Sequence, residues 1–309
     1  MTHRTRRTTA AVATGLALSL GLAACAGSTD EPAQAPEETA TGDQQDVTIA
    51  IHNGWDEGIA VSYLWQNLLE QEGYTVEMEM ADPGPIYTSI ASGQFDVNFD
   101  MWLPITHEDY LEQFGDDMEQ LGSWYDDARL TIAVNEDSPI TSLDELAEAA
   151  DDFDGRLVGI ESGAGLTRIT KDEVIPTYGL EGIDFIESST PAMLAELTGA
   201  VAAERNIAVT LWRPHWAYEA FPIRDLEDPE GALGDAERIE MVGRTGFTAD
   251  FPQFAAWLAE FTLTDEQLFS LENIMFNENG GTQNEVSVSQ WLDENPTFFD
   301  DIKDAAGEV

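Results

Sequence analysis

Apolar and polar residues alternate from Val47 to His52, with Val47, Ile49 and Ile51 on one face, and this period of two predicts a strand. From Ile59 to Glu72 the spacing lengthens to that of a helix, and Gly73 stands where a residue of left-handed conformation would end it. Alternation returns over Thr75–Met80, where Val76, Met78 and Met80 share a face. A helical stretch over Pro85–Ser92 stops at Gly93, and a third strand over Phe95–Met101 runs straight into Trp102. Strand and helix in strict alternation imply a mostly parallel sheet covered by helices.

Leu130–Val134 predicts another strand, and the polar run Asn135-Glu136-Asp137-Ser138-Pro139 after it marks a crossing into a second unit. There Ser142 and Glu145 have the spacing of a capping box for a helix through Ala150. Arg156–Ile160, Ile183–Ile186 and Ile207–Leu211 read as strands, and Leu166–Tyr178 and Pro191–Arg205 as helices. Ile239–Val242 should return the chain to the first unit. Two or three helices follow, over Phe251–Phe261, Asp265–Met275 (with Thr264 and Gln267 as its capping box) and Val286–Leu292. The expected fold is therefore α/β and two-lobed, of the type II periplasmic-binding-protein plan, each lobe a mostly parallel sheet flanked by helices. Residues 47–136 and 239–309 would form one lobe and 137–238 the other. A ligand would lie between them, at the carboxyl ends of the strands.

The ends of the chain and its charge narrow the setting. Residues 1–24 read as a secretory leader, with Arg4, Arg6 and Arg7 ahead of a short apolar stretch from Ala10 to Leu22. That stretch is too short for a membrane span. The single cysteine, Cys25, follows Leu22-Ala23-Ala24, which resembles the bacterial lipobox in which the cysteine carries the lipid. Residues 25–46 are acidic and poor in large apolar side chains, and read as a flexible tether. A coil of that length reaches roughly 25 Å. With Lys+Arg 13 against Asp+Glu 60, the formal charge is -47, which excludes nucleic acid as a partner. Such a surface fits an extracellular setting.

Three tryptophan motifs carry the candidate chemistry: Asn53-Gly54-Trp55-Asp56-Glu57, Met101-Trp102-Leu103-Pro104 and Leu211-Trp212-Arg213-Pro214-His215-Trp216. Each sets an indole at a strand end, two in the first lobe and one in the second. Indole faces attract a cation that has no N–H to donate, such as a trimethylammonium group. Trp65, Trp257 and Trp291 fall within helices and read as packing residues, and Trp124 fits packing or a rim position. Trp216 and His215 read as support for Trp212. Asp56 and Glu57 suit either a helix N-terminus or a place facing a cation. His52 takes no role.

Four segments in consistent order carry a resemblance: Gly54-Trp55-Asp56-Glu57-Gly58-Ile59-Ala60, Trp102-Leu103-Pro104-Ile105-Thr106-His107, Gly159-Ile160-Glu161-Ser162-Gly163-Ala164-Gly165, and Trp212-Arg213-Pro214-His215-Trp216. From Val47 to about Phe261 the chain resembles the substrate-binding lipoproteins of glycine betaine and proline betaine ABC importers. The resemblance implies a cage of Trp55, Trp102 and Trp212 around a quaternary ammonium. It implies that His107 and the backbone amides of Gly165 and Leu166 hold the ligand carboxylate. It also implies a membrane permease with its ATPase as partner, a lipid anchor at Cys25, and a place on the outer face of the cell membrane. Arg213 departs from the small polar residue usual after the cage tryptophan, and Glu161-Ser162 from the Asp-Pro of many relatives.

Other functions fit less well. Gly163-Ala164-Gly165 leads to Arg168 where a dinucleotide fingerprint needs a third glycine. Ser162 lies between Ile160 and Ala164 and fails the nucleophile-elbow pattern. No histidine spacing suggests zinc, and neither a cofactor nor an enzyme activity is expected. Within binding proteins the rivals are choline or carnitine, and an amino acid held by Arg168 and Asp56.

Overall fold

The computed structural model describes residues 44–309. The expected leader, Cys25 and the tether up to residue 43 lie outside the described residues.

Among the described residues nine strands form the frame: β1 (Asp46–His52), β2 (Thr75–Ala81), β3 (Val97–Leu103), β4 (Met118–Asn135), β5 (Arg156–Val158), β6 (Asp184–Ile186), β7 (Ala208–Arg213), β8 (Ile223–Asp225) and β9 (Glu237–Arg244). Their order is β2-β1-β3-β9-β4-β7-β5-β6, with β8 paired to β4. Parallel pairs form the outer parts, β2-β1-β3 on one side and β7-β5-β6 on the other. The strands that join these parts, β4 and β9, add antiparallel pairs.

The chain changes sheets inside β4. Residues up to Ala128 pair with β9, and Arg129–Asn135 pair with β7 and β8. The crossing thus lies ahead of the polar break at Asn135–Pro139, where the sequence pattern suggested it. The pairing slips at Gln120/Gly122, Ser123/Tyr125 and Tyr125/Ala128. Each slip interrupts the period-two pattern, so the first ten residues of this strand do not look like one. We call the strands before this crossing, with β9, the first half, and β5–β8 with the end of β4 the second half.

Several helices start or stop for local reasons. The helix after β1 begins at Asp56, ahead of the apolar periodicity, with Asp56 and Glu57 in its first turn where the dipole favours acids. Both expected capping boxes are present, Ser142 with Glu145 and Thr264 with Gln267. The first of them caps only a short 3-10 turn, Leu143–Glu145, and a second turn follows at Ala150–Phe153. The stretch Gly165–Tyr178 is helical throughout, with a π turn at Thr170–Val174. At the C-terminus the helices Pro252–Glu260, Asp265–Glu272 and Asn284–Glu294 are joined by a fourth, Phe298–Ala306.

These last helices close the core of the first half. Trp65 is buried among Phe99, Phe254, Phe261 and Phe299. Trp257 meets Phe299 edge-on, and Trp291 meets Phe298 in the same way. All three are packing residues, as their helical positions suggested. Trp124 is buried too, and its indole donates to the Phe99 carbonyl at 2.7 Å. With these indoles committed to the core, the remaining four gather where the carboxyl ends of β1, β3, β5 and β7 converge.

Candidate functional site

Trp55 directly precedes the helix Asp56–Gln71, Trp102 is the penultimate residue of strand β3, and Trp212 lies in β7. Gly165 and Leu166 open the helix that follows β5. The structure brings these five residues and His107 together around one small cavity, completed by Glu57, Thr106, Leu130, Ile160 and Ala164. The three indoles are almost fully buried, and with Leu130, Ile160, Ala164 and Leu166 they make the cavity walls mostly apolar.

One end of the cavity offers donors. The helix beginning at Gly165 leaves its first amides without intrahelical carbonyl partners, and its positive end faces the space. Gly165 is close-packed: a Cβ there would come 1.9 Å from the Thr106 carbonyl oxygen. Only glycine lets the two halves meet at this point. His107 is fully buried, and its ring stacks on Trp55 at 5.4 Å and 9°. Its Nδ1 accepts the Trp102 backbone N–H at 2.8 Å. Nδ1 therefore carries no proton, and the neutral ring has its N–H at Nε2. That Nε2 is buried and unpartnered among the described residues. Burial, then His52 and the Arg168 charge, hold the imidazole well below its usual range, so it is a neutral donor.

The indole N–H groups here all go to acids. Trp102 donates to Asp100 at 2.8 Å, Trp212 to Glu57 at 2.9 Å, Trp55 to Glu161 and Trp216 to Asp56. Asp56 and Glu57 thus hold indoles; the N-terminal residue of their helix, Trp55, makes no side-chain cap. Burial pushes Asp56 up to about 7, against the pull of the Trp216 bond. Burial likewise raises Asp100 to about 7, while its bond from Trp102 opposes the rise. Glu57 is raised by burial and by the neighbouring Asp100 and Glu272. Glu272, buried with both oxygens unpartnered, is raised by burial and by Asp56. The surroundings of the aromatic box are strongly acidic, with no basic side chain lining the cavity.

These acceptors were not singled out from sequence, apart from the open reading of Asp56 and Glu57. A signal existed for two of them. Asp100 stands two residues before Trp102 on the same strand face, and Glu161 ends the strand-to-turn segment that leads to Gly165.

His215 packs edge-on against Trp212 at 4.8 Å, and its Nδ1 accepts the Ala217 amide at 3.0 Å. Trp216 stacks on His215, so both support Trp212. His52 packs on Trp55 at 4.2 Å, and burial lowers it to about 3. Arg213 turns away from the cavity: it pairs with Asp225 at 2.7 Å and lies 3.5 Å over the Tyr218 ring. Arg168 holds the carbonyls of Ile105 and Thr106 and pairs with Asp109. It does not line the cavity, so the amino-acid reading loses its carboxylate partner. Among the described residues no cluster of His, Cys, Asp and Glu suits a metal ion, and no helix is long and apolar enough to cross a membrane.

Comparison with known proteins points the same way. Residues 45–294 match the family model described as the substrate binding domain of ABC-type glycine betaine transport systems. The glycine betaine/carnitine transport binding protein GbuC of Listeria monocytogenes is 33% identical over 142 residues. That match spans 45% of this chain and 46% of the relative, a little under half of each. Lactococcal OpuAC, in its closed-liganded conformation with glycine betaine, superposes with a TM-score of 0.77. It is 24% identical, over 84% of this chain and 99% of its own. The glycine betaine/L-proline-binding protein ProX of Borrelia burgdorferi gives the same TM-score at 25% identity, over 85% of this chain and 100% of its own. The expected α/β binding-protein fold is therefore the observed one, and the family is one of transport proteins and not of enzymes. With a family match covering most of its length, the chain belongs to the substrate-binding domains of ABC-type glycine betaine transport systems.

Proposed function

We propose that this chain binds glycine betaine or a related quaternary ammonium solute and delivers it to a membrane permease driven by a cytoplasmic ATPase. Trp55, Trp102 and Trp212 enclose the ammonium group. The Nε2–H of His107 and the amides of Gly165 and Leu166 hold the carboxylate. The two halves of the molecule act as lobes that close on the ligand, and closure marks the loaded form for the permease. Cys25 anchors the mature chain by its lipid to the outer face of the membrane, with the acidic segment after it as tether.

One observation carries this reading: three indoles from two halves share a cavity whose other end offers only neutral donors. A trimethylammonium has no proton to give, so a dehydrated ring face is its best neighbour, worth about 1–2 kcal/mol per ring in a dry site. Each indole N–H is taken by an acid, so the rings offer the ligand their faces and not their donors. A carboxylate at the other end takes amide and imidazole N–H bonds, which are strengthened by its charge.

Choline lacks the carboxylate and would leave His107 Nε2 and both amides unsatisfied, so it ranks below the betaines. Carnitine carries both groups, and GbuC is named for glycine betaine and carnitine. The test is a titration of the purified chain with glycine betaine, proline betaine, carnitine, choline and glycine, followed by calorimetry and indole fluorescence. Saturable binding of the betaines with a fluorescence change, and none with glycine, is expected. Equal responses to glycine and glycine betaine would remove the cage from consideration.

A further inference from the structure

Four indoles donate to carboxylates in this region, and three of the bonds run between the halves. Trp55, after β1, donates to Glu161, which follows β5. In return Trp212, on β7, donates to Glu57, in the first turn of the helix after β1. Trp216, also after β7, donates to Asp56. The remaining bond, Trp102 to Asp100, stays within β3.

The bridging acids are fixed in place. The second oxygen of Glu161 accepts the Thr190 backbone N–H at 3.0 Å and its hydroxyl at 3.1 Å. Glu57 lies in the cavity wall, 1% exposed, and Glu161 is 9% exposed. Trp102 finds its acceptor on its own strand and keeps it whether the halves are together or apart. Trp55 and Trp212 do not. Their ring N–H groups meet an acid only when the opposite half arrives, and in a separated molecule they would turn to water.

We propose that Glu161 and Glu57 are positioning residues that assemble the aromatic box on closure, each holding the indole supplied by the opposite half. This rests on the binding reading given above. A carboxyl oxygen held in place behind the N–H accepts its bond and fixes the ring plane. The ring then presents its face to the cavity, and the same bond ties one half to the other. Cage assembly and closure become one event.

The test compares Glu161→Ala, Glu57→Ala and the matching Gln variants with the unaltered chain. Glycine betaine affinity is measured by calorimetry, and the closed fraction at saturating ligand by small-angle scattering. Thermal unfolding reports on folding. Both Ala variants should lose at least tenfold in affinity and show a more open molecule at saturation. The Gln variants keep an acceptor oxygen and should recover most of the closure, and they remain informative if an Ala variant fails to fold. A role confined to structural support would lower the unfolding temperature without moving the closed fraction. Ala variants that fold, bind within twofold of the unaltered chain and close as it does would overturn the proposal while leaving the binding reading intact; if the Ala variants do not fold, Gln variants no more closed than the unliganded chain would overturn it. An unaltered chain that binds none of the quaternary ammonium solutes would overturn both.

Discussion

The Trp102 backbone N–H donates to Nδ1 of His107 at 2.8 Å, and this one bond sets which nitrogen of the imidazole faces the cavity as a donor. With Nδ1 occupied as an acceptor, Nε2 carries the proton, and it has no partner among the described residues. A buried donor without an acceptor is costly unless a ligand supplies one. The His107→Ala variant should therefore bind glycine betaine at least tenfold more weakly. Choline, with no carboxylate to receive the bond, should lose less. Calorimetry with both ligands reads the difference directly, and an equal loss for both would place His107 in cavity packing instead.

Trp212 joins the second half to the box, and its ring face and its N–H can be tested apart. Trp212→Ala removes both, and should weaken glycine betaine binding by at least tenfold, about 1.4 kcal/mol. Trp212→Phe keeps an aromatic face but drops the bond to Glu57, and should fall between. Circular dichroism should show both variants folded, because the strand pairs of Trp212 with Leu130 are made by its backbone. Wild-type affinity in the Ala variant would take Trp212 out of the cage.

Much of this arrangement was legible in the chain because two periods, two and 3.6 residues, are easy to tell apart. Val47–His52 and Thr75–Met80 alternate cleanly and form β1 and β2. The three tryptophans stood out because each ends such a run. Three features were hidden for physical reasons. The first part of β4 is broken by bulges, so Met118–Ala128 lacks a clean alternation that would mark it as a strand. The helix Ser142–Ala150 had a sound capping box, yet it forms only short turns. The acids behind the indoles were hidden because a bond such as Trp55 to Glu161 spans 106 residues, and no local pattern reports it. Charge told of a surface coat; it did not reveal that Asp56, Glu57, Asp100, Glu161 and Glu272 are buried.

Gly165 should be intolerant of any side chain. Its virtual Cβ lies 1.9 Å from the Thr106 carbonyl oxygen, which is backbone and cannot swing aside. Gly165→Ala should hold the halves apart at this point and displace the amides meant for the carboxylate. We expect a loss of more than tenfold in betaine affinity with little change in the fold of either half. Gly199, in the helix Thr190–Ala202, provides the control, since nothing lies within 4 Å of its Cβ position. Gly199→Ala should leave binding unchanged and raise stability by about 0.5–1 kcal/mol. Normal binding by Gly165→Ala would show that closure does not need the contact.

The buried acids should make both stability and binding depend on pH. Asp56 and Asp100 rise from an ordinary value of 3.8 to about 7, chiefly through burial. Between those two values the folded chain holds protons that the unfolded chain has released. Stability of the ligand-free protein is therefore greatest near and below pH 4 as far as these groups are concerned, falls as pH rises through 7, and levels off above it. The surface charge of -47 acts in the same direction, so the measurement belongs in high salt, where surface repulsion is screened. Asp100→Asn, which can still accept the Trp102 N–H, should flatten part of the slope. Binding should run the other way. A cation in the aromatic box favours the ionised form of the acids around it, so glycine betaine should bind more tightly at pH 8 than at pH 5.5 and release protons as it binds. Calorimetry near pH 6.5 in two buffers of different ionisation enthalpy measures that release. Proton uptake, or a tighter complex at the lower pH, would mean that the acids stay neutral in the loaded protein and that the indoles alone hold the cation.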